Sequence, residues 1–295
     1  MKQIILTGSA SGFGLKAVKT LALQGHTVYA TMRNIKWLSG ANAAVAQELK
    51  DWAKAHNVKV EVVEMDVTST VSVNAAVAEI AKKSGGRIDV LINNAGVSYY
   101  GFGEALTIEQ TEQMYQVNTL GPERTMKAVL PYMHAQKEGL IINVTSVQSR
   151  NHIPSLSTYN GTKAALDAAT VGYHYELKSS GIDVVNIQPG AFQTTDITNK
   201  RIVGKNEEVE AKYGEDALNF KRALLQYFVP TPESGDPQEV ADAMLKLVEL
   251  PKGERPLWTI VGGGPMTEKF EAINQSTKDI VDFNVSILPQ LFPTK

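Results

Sequence analysis

The chain has 295 residues, 43% hydrophobic and 20% charged, enough apolar material for a large buried core and too little charge for a disordered polymer. Its formal net charge of −2, with Lys and Arg scattered along the chain, argues against a nucleic-acid partner, which needs a basic patch or stripe. There is no cysteine, which excludes disulfides, iron–sulfur ligation and cysteine-bound zinc, and the five histidines fall at no metal-ligand spacing, so no metal is expected.

In chain order, strand-like apolar runs fall at Ile4–Leu6, Thr27–Thr31, Lys59–Met65, Asp89–Ile92, Leu140–Val144, Asp183–Ile187 and Leu257–Val261. Helix-period stretches lie between them, for example Leu15–Leu23, Ala43–His56, Val71–Lys83 and Thr158–Lys178. Parallel strands need crossover connections, so this alternation predicts an α/β fold. The expected form is a single doubly wound domain over 1–295, a parallel sheet of about seven strands with helices on both faces. Two stretches break the rhythm, an insertion at 194–234 and a tail at 265–295. Ligands bind beyond the carboxyl ends of such strands, which suits the insertion to covering a substrate. The tail either does the same or meets another subunit. The start has no basic segment followed by a long apolar run, and no stretch approaches 18 apolar residues. The expectation is a cytoplasmic protein with no membrane partner.

Thr7-Gly8-Ser9-Ala10-Ser11-Gly12-Phe13-Gly14 joins the first strand to the first helix. Glycines there let the backbone turn tightly and approach a pyrophosphate, which the helix N-terminus receives with free N–H groups and a positive dipole end. A plain strand-to-helix turn is the alternative, and the position at the chain start favours the dinucleotide.

Tyr159 and Lys163 are four residues apart, which places both side chains on one helix face. An ammonium nearby favours phenolate, so Tyr159 is a candidate acid/base for a carbonyl oxygen gaining hydride. Ser146, thirteen residues earlier and just past the fifth strand, is placed to hold that oxygen.

These motifs together resemble the short-chain dehydrogenase/reductase family, whose loop reads T-G-x-x-x-G-x-G. Further landmarks recur in order: Asp66-Val67, Asn93-Asn94-Ala95-Gly96, Asn118, Ser146, Tyr159 to Lys163, and Pro189-Gly190 with Thr194. The resemblance implies a Rossmann fold, a nicotinamide cofactor and a catalytic set of Asn118, Ser146, Tyr159 and Lys163, with Asn118 relaying protons through water to the lysine. It implies cofactor contacts from Gly8, Ser11, Gly12, Phe13 and Gly14, and from Asp66 and Val67 at the adenine. Asn93, Ala95 and Gly96 would floor the cleft. Tyr159 and Lys163 would meet the cofactor too, with Pro189, Gly190, Phe192 and Thr194 on the carboxamide face. A homo-oligomer, dimer or tetramer, is implied as well. Two residues depart from the family pattern. Gly161 stands where alanine is usual, which suggests a close helix approach to the sheet or ribose, and Phe13 replaces an aliphatic residue.

The second strand ends Met32-Arg33-Asn34, with no acid to hold ribose hydroxyls. A guanidinium suits a 2′-phosphate, so NADP(H) is expected in preference to NAD(H), with Ser11 as a second ligand of that phosphate. A plain surface arginine is the alternative. Gln148 and His152 are candidate substrate contacts beside Ser146 and Tyr159. Tyr99, Tyr100, Phe102, Phe192, Leu224, Tyr227 and Phe228 are candidate pocket walls, favouring a mostly apolar or aromatic carbonyl or alcohol. The rival function is a non-catalytic NADP sensor or scaffold on the same fold, which would lack the need for Tyr159, Lys163 and Ser146. A Ser-His-Asp hydrolase needs G-x-S-x-G, which the chain lacks.

Overall fold

The computed structural model describes residues 1–35, 41–195, 202–204, 206–229, 231 and 235–291. The insertion and the tail therefore lie partly outside the described residues.

Seven strands form one parallel sheet: β1 (Gln3–Thr7), β2 (Thr27–Met32), β3 (Val60–Glu64), β4 (Val90–Asn93), β6 (Gly139–Val144), β7 (Ile182–Pro189) and β9 (Trp258–Val261). Their order is β3-β2-β1-β4-β6-β7-β9, so the winding reverses between β1 and β4. Such a switch point leaves a crevice at the carboxyl ends of the strands. Every residue of β2, β4 and β6 is buried, as expected of strands covered on both faces. Alternate side chains of β1 serve opposite sides. Ile4 and Leu6 join a core with the inner faces of α1 (Gly12–Leu23) and a late helix, Gln238–Glu249. Ile5 joins the opposite core with α3 (Thr70–Lys83) and α5 (Leu120–Gln136). Seven expected strands are present, with small changes of length. β7 runs on to Pro189 because Gln188 and Pro189 pair with Ile260 and Val261 of β9.

The other helices are α2 (Ala41–Ala55), α4 (Ile108–Asn118), α6 (Ser157–Leu177), α7 (Glu207–Glu210), α8 (Gly214–Tyr227), α9 (Gln238–Glu249) and α10 (Thr267–Leu291). A capping box at Thr107 and Gln110 starts α4. The sequence pattern did not reveal a second small sheet. There β5 (Tyr99–Tyr100) pairs in parallel with β8 (Ile202–Val203), tying the segment after Gly96 to the insertion. Among the described residues no helix is long and apolar enough to cross a membrane, and no cluster of ligating side chains could hold a metal.

Candidate active site

A cleft of about 460 Å³ opens at the carboxyl ends of the strands, across the switch point. Its first wall is the loop from β1 to α1, contributing Gly8, Ser11, Gly12 and Phe13. Gly8 has φ +69°, and a Cβ there would lie 2.7 Å from the Ala95 Cα, so this loop packs directly on the segment after β4. Gly14 does not line the cleft. A Cβ on it would meet the Gly8 carbonyl oxygen at 2.2 Å, so its role is close packing of helix against loop. Ser11 at the helix N-cap makes no side-chain cap bond, leaving first-turn N–H groups available at the cleft edge.

Sequence reasoning placed Asn94 in a family landmark but gave it no site role. Its Nδ2 donates to the carbonyls of Thr7 at 3.0 Å and Gly8 at 3.1 Å, and its N–H donates to the Thr7 hydroxyl. It clamps the glycine loop and lines the cleft, together with Ala95 and Gly96. Asn93, expected on the floor, instead turns into the sheet. It donates to Asn143 Oδ1 at 2.8 Å and accepts from the Thr125 hydroxyl at 2.6 Å. The alternation of side chains along β4 sends one asparagine inward and frees the next.

Asp66 and Val67 lie on the wall after β3. The Asp66 carboxylate accepts from the Thr68 N–H at 2.9 Å and hydroxyl at 2.8 Å, while Ser69 caps α3. Arg33 is exposed at the rim after β2 and has no ion pair among the described residues. Its backbone carbonyl accepts from Asn42 Nδ2 at 2.7 Å, and Asn42 also lines the cleft.

Ser146 follows β6 and Tyr159 lies in the first turn of α6, both on the inner wall with Lys163. The Ser146 hydroxyl accepts from the Gln148 N–H at 3.1 Å and reaches the Pro189 carbonyl at 3.4 Å. The Lys163 ammonium donates to the Val144 carbonyl at 2.9 Å and sits 5.8 Å from the centre of the Tyr159 ring. Burial brings Lys163 down to about 8. Burial pushes the Tyr159 phenol well above its ordinary value, Tyr100 adds to the rise, and the Ser146 hydroxyl opposes it. Burial therefore dominates at the phenol, in the direction opposite to the lowering expected from Lys163.

Asn118 ends α4 behind this wall and is fully buried. Its Nδ2 donates to the Val97 carbonyl at 2.8 Å and its Oδ1 accepts from the Val97 N–H at 2.9 Å. A Cβ on Gly96 would lie 3.5 Å from Asn118 Oδ1 and 3.7 Å from Lys163 Nζ, so both groups converge on that glycine. Gly161 is explained differently from the expectation: a Cβ there would meet the Tyr115 hydroxyl of α4 at 2.9 Å.

Pro189, Gly190 and Phe192 line the far end, where Phe13 and Phe192 meet edge to face at 5.3 Å. Thr194 does not reach the cleft and is exposed. Thr195 takes that place, because its N–H and hydroxyl both donate to the Phe192 carbonyl and turn it inward. Gln148 lines the pocket, whereas His152 is exposed and stands outside it. Tyr99, Tyr100, Val147, Leu156 and Phe228 complete the inner wall. Leu224 packs behind Tyr100 and Phe228, Phe102 stacks on Tyr213 at 4.1 Å, and Tyr227 points to solvent.

A parallel seven-stranded sheet with a glycine-rich first turn, and serine, tyrosine and lysine on one cleft wall, define an oxidoreductase of nicotinamide type. The family model for short chain dehydrogenases matches residues 2–205, and the chain belongs to that family. It is thus an enzyme acting on CH–OH and C=O groups. An uncharacterized oxidoreductase of Bacillus subtilis, YusZ, is 35% identical over 255 residues, 83% of this chain and 84% of that protein. A 3-ketodihydrosphingosine reductase of Bacteroides thetaiotaomicron is 34% identical over 248 residues, 83% and 82% of the two chains. Among solved structures, a short-chain dehydrogenase from Sphingobium yanoikuyae in complex with NADPH superposes with a TM-score of 0.70 at 26% identity, covering 96% of each chain.

Proposed function

We propose that the protein is an NADP(H)-dependent oxidoreductase that interconverts a carbonyl and a secondary alcohol on a mostly apolar or aromatic substrate, with Tyr159 as acid/base. The observation carrying this reading is the convergence of Ser146, Tyr159 and Lys163 on the same cleft wall as the glycine loop. The loop fits a pyrophosphate, with Gly8 and Gly12 at positive φ turning the backbone tightly and uncapped N–H groups at its edge. When bound, the nicotinamide cofactor supplies or accepts the hydride and, oxidised, adds a positive charge that favours phenolate. In reduction the Ser146 hydroxyl holds the substrate oxygen and the Tyr159 phenol gives it a proton; in oxidation Tyr159 takes that proton back. Lys163, held by the Val144 carbonyl, supplies positive charge behind the phenol and a bond to the cofactor ribose. Asn118 acts from behind, fixing the chain at Val97 and Gly96 against Lys163.

Arg33, Asn42 and Ser11 line the end of the cleft where a 2′-phosphate belongs. The substrate end is walled by Tyr99, Tyr100, Leu156 and Phe228. The relative named as a 3-ketodihydrosphingosine reductase and the structural neighbour in complex with NADPH support this reading. The whole chain acts as one catalytic domain, with the insertion over the substrate and a cytoplasmic setting. The test is NADPH oxidation against acetophenone, benzaldehyde and 2-decanone, with NADP⁺ and the matching alcohols in reverse. Cofactor binding without turnover of any of them supports the sensor reading instead.

The reading includes a homo-oligomer, supported by the apolar side chains that α10 presents to solvent: Ile273, Ile280, Phe283, Val285 and Leu288. Light scattering is expected to give a dimer or tetramer of the 32.1 kDa chain, and a monomer at every concentration refutes it.

A further inference from the structure

Behind the inner wall lies a buried polar network that the proposed reaction does not use. Its centre is Asp167, on the face of α6 that also carries Tyr159 and Lys163 at four-residue spacing. Asp167 is 1% exposed, and its charge is met by Arg150, whose Nη2 donates to Oδ1 at 2.7 Å. Gln188 of β7 donates to the other carboxylate oxygen at 2.9 Å, and Trp258 of β9 donates its indole N–H at 3.2 Å. The fourth element is the C-terminal helix. Asn274 of α10, itself buried, donates to Gln188 Oε1 at 2.7 Å and accepts from Arg150 Nε at 3.0 Å.

The network ends on the loop that carries Ser146. The Ser149 hydroxyl donates to the Ser146 carbonyl at 2.8 Å, with Asp167 Oδ2 at 3.3 Å, and accepts from Gln188 Nε2 at 3.2 Å. Arg150 Nη1 donates to the Ser149 carbonyl at 3.2 Å. A buried carboxylate is tolerated only when paired and hydrogen-bonded, and a network with every member satisfied has one arrangement. We infer that Asn274 and Ser149 are positioning residues: the C-terminal helix, through Arg150, Gln188 and Asp167, fixes the loop 146–150 against α6 and so sets the Ser146 hydroxyl relative to Tyr159. This rests on the proposed roles of Ser146 and Tyr159. The tail is thereby part of the active-site frame.

The test compares the full chain with Asn274→Ala and Ser149→Ala, using Glu271→Ala, an exposed polar position of α10, as the control. Alanine favours the helix, so Asn274→Ala keeps α10 formed. Amide hydrogen exchange at residues 147–151 is expected to quicken about tenfold in both variants, the scale of one lost buried hydrogen bond, and to stay unchanged at residues 8–14 and in Glu271→Ala. With 2-decanone as probe, kcat falls about tenfold or more, since a misplacement of ~1 Å can cost on the order of a hundredfold, while KM and Kd for NADPH stay constant. Unchanged exchange in the loop overturns the inference, whether or not the probe is turned over. Faster exchange with unchanged kcat also overturns it, because the loop then moves without disturbing Ser146. A parent protein inactive on every probe refutes the proposed reaction instead, and exchange alone then decides whether the tail holds the loop.

Discussion

Replacing Tyr159 with phenylalanine is expected to lower kcat by at least about a hundredfold, the low end for losing a general acid, and to leave NADPH binding within about twofold. The ring itself is retained, so its packing between the clusters around Tyr99 and Tyr100 persists. Only the hydroxyl goes, and with it the proton that a reduced carbonyl oxygen requires. Lys163→Ala should differ in kind, because in the proposed reaction its ammonium both backs the phenol and serves the cofactor, so turnover and NADPH affinity are expected to fall together. Steady-state kinetics paired with fluorescence titration of NADPH separate the two patterns. Near-normal turnover in Tyr159→Phe sinks the assignment of the acid.

The second large effect concerns Arg33. Arg33→Ala is expected to weaken NADPH binding by roughly ten- to a hundredfold, since a hydrogen bond to a charged group contributes about 1.5–3 kcal/mol net, and to leave NADH nearly unaffected. The guanidinium is exposed at the cleft rim and forms no ion pair among the described residues. NADH would offer it no partner and leave it solvated, so the discrimination lies in the bonds that the 2′-phosphate gains. The same exposure implies screening, so the preference for NADPH should shrink as salt rises. Dissociation constants for both cofactors, in parent and variant, decide it. Equal affinity for the two cofactors in the parent, or equal weakening of both in the variant, contradicts this assignment.

The parts legible in sequence were those whose physics is local. Strands such as Thr27–Met32 are buried on both faces and read as unbroken apolar runs. The glycine loop and the four-residue step from Tyr159 to Lys163 likewise declare themselves by spacing. What spacing hides is the direction a side chain takes after tertiary packing. Thr194 and Thr195 are neighbours of the same type, and only the bonds of Thr195 to the Phe192 carbonyl decide which one faces the cleft. Asn93 and Asn94 pose the same ambiguity, resolved by the partner Asn143 on the next strand. His152 seemed close to the pocket by its place between Ser146 and Tyr159, yet the loop carries it to the surface. Asp167 is harder still. A helix acid resembles a solvated face until Arg150, Gln188 and Trp258 are brought to it from distant parts of the chain.

The burial of Lys163 also has a thermodynamic cost that the fold carries at all times. Its protonated form is disfavoured inside, with the pKa down to about 8 in the folded protein against 10.5 for a solvated lysine. Below pH 8 the side chain is charged in both states, and the full cost of burying that charge falls on the native state. Between about 8 and 10.5 the unfolded chain binds more protons than the folded one, so stability gained from this group rises with pH across that window. Unfolding near pH 9 therefore takes up a proton. Urea titrations of the parent and of Lys163→Met at several pH values isolate the effect, because the titrating tyrosines are common to both. The stability advantage of the methionine protein should be largest below pH 8 and decline toward 10.5. A difference that stays constant across that range would mean that the lysine titrates as it does in solvent, and that the wall behind Tyr159 is wet.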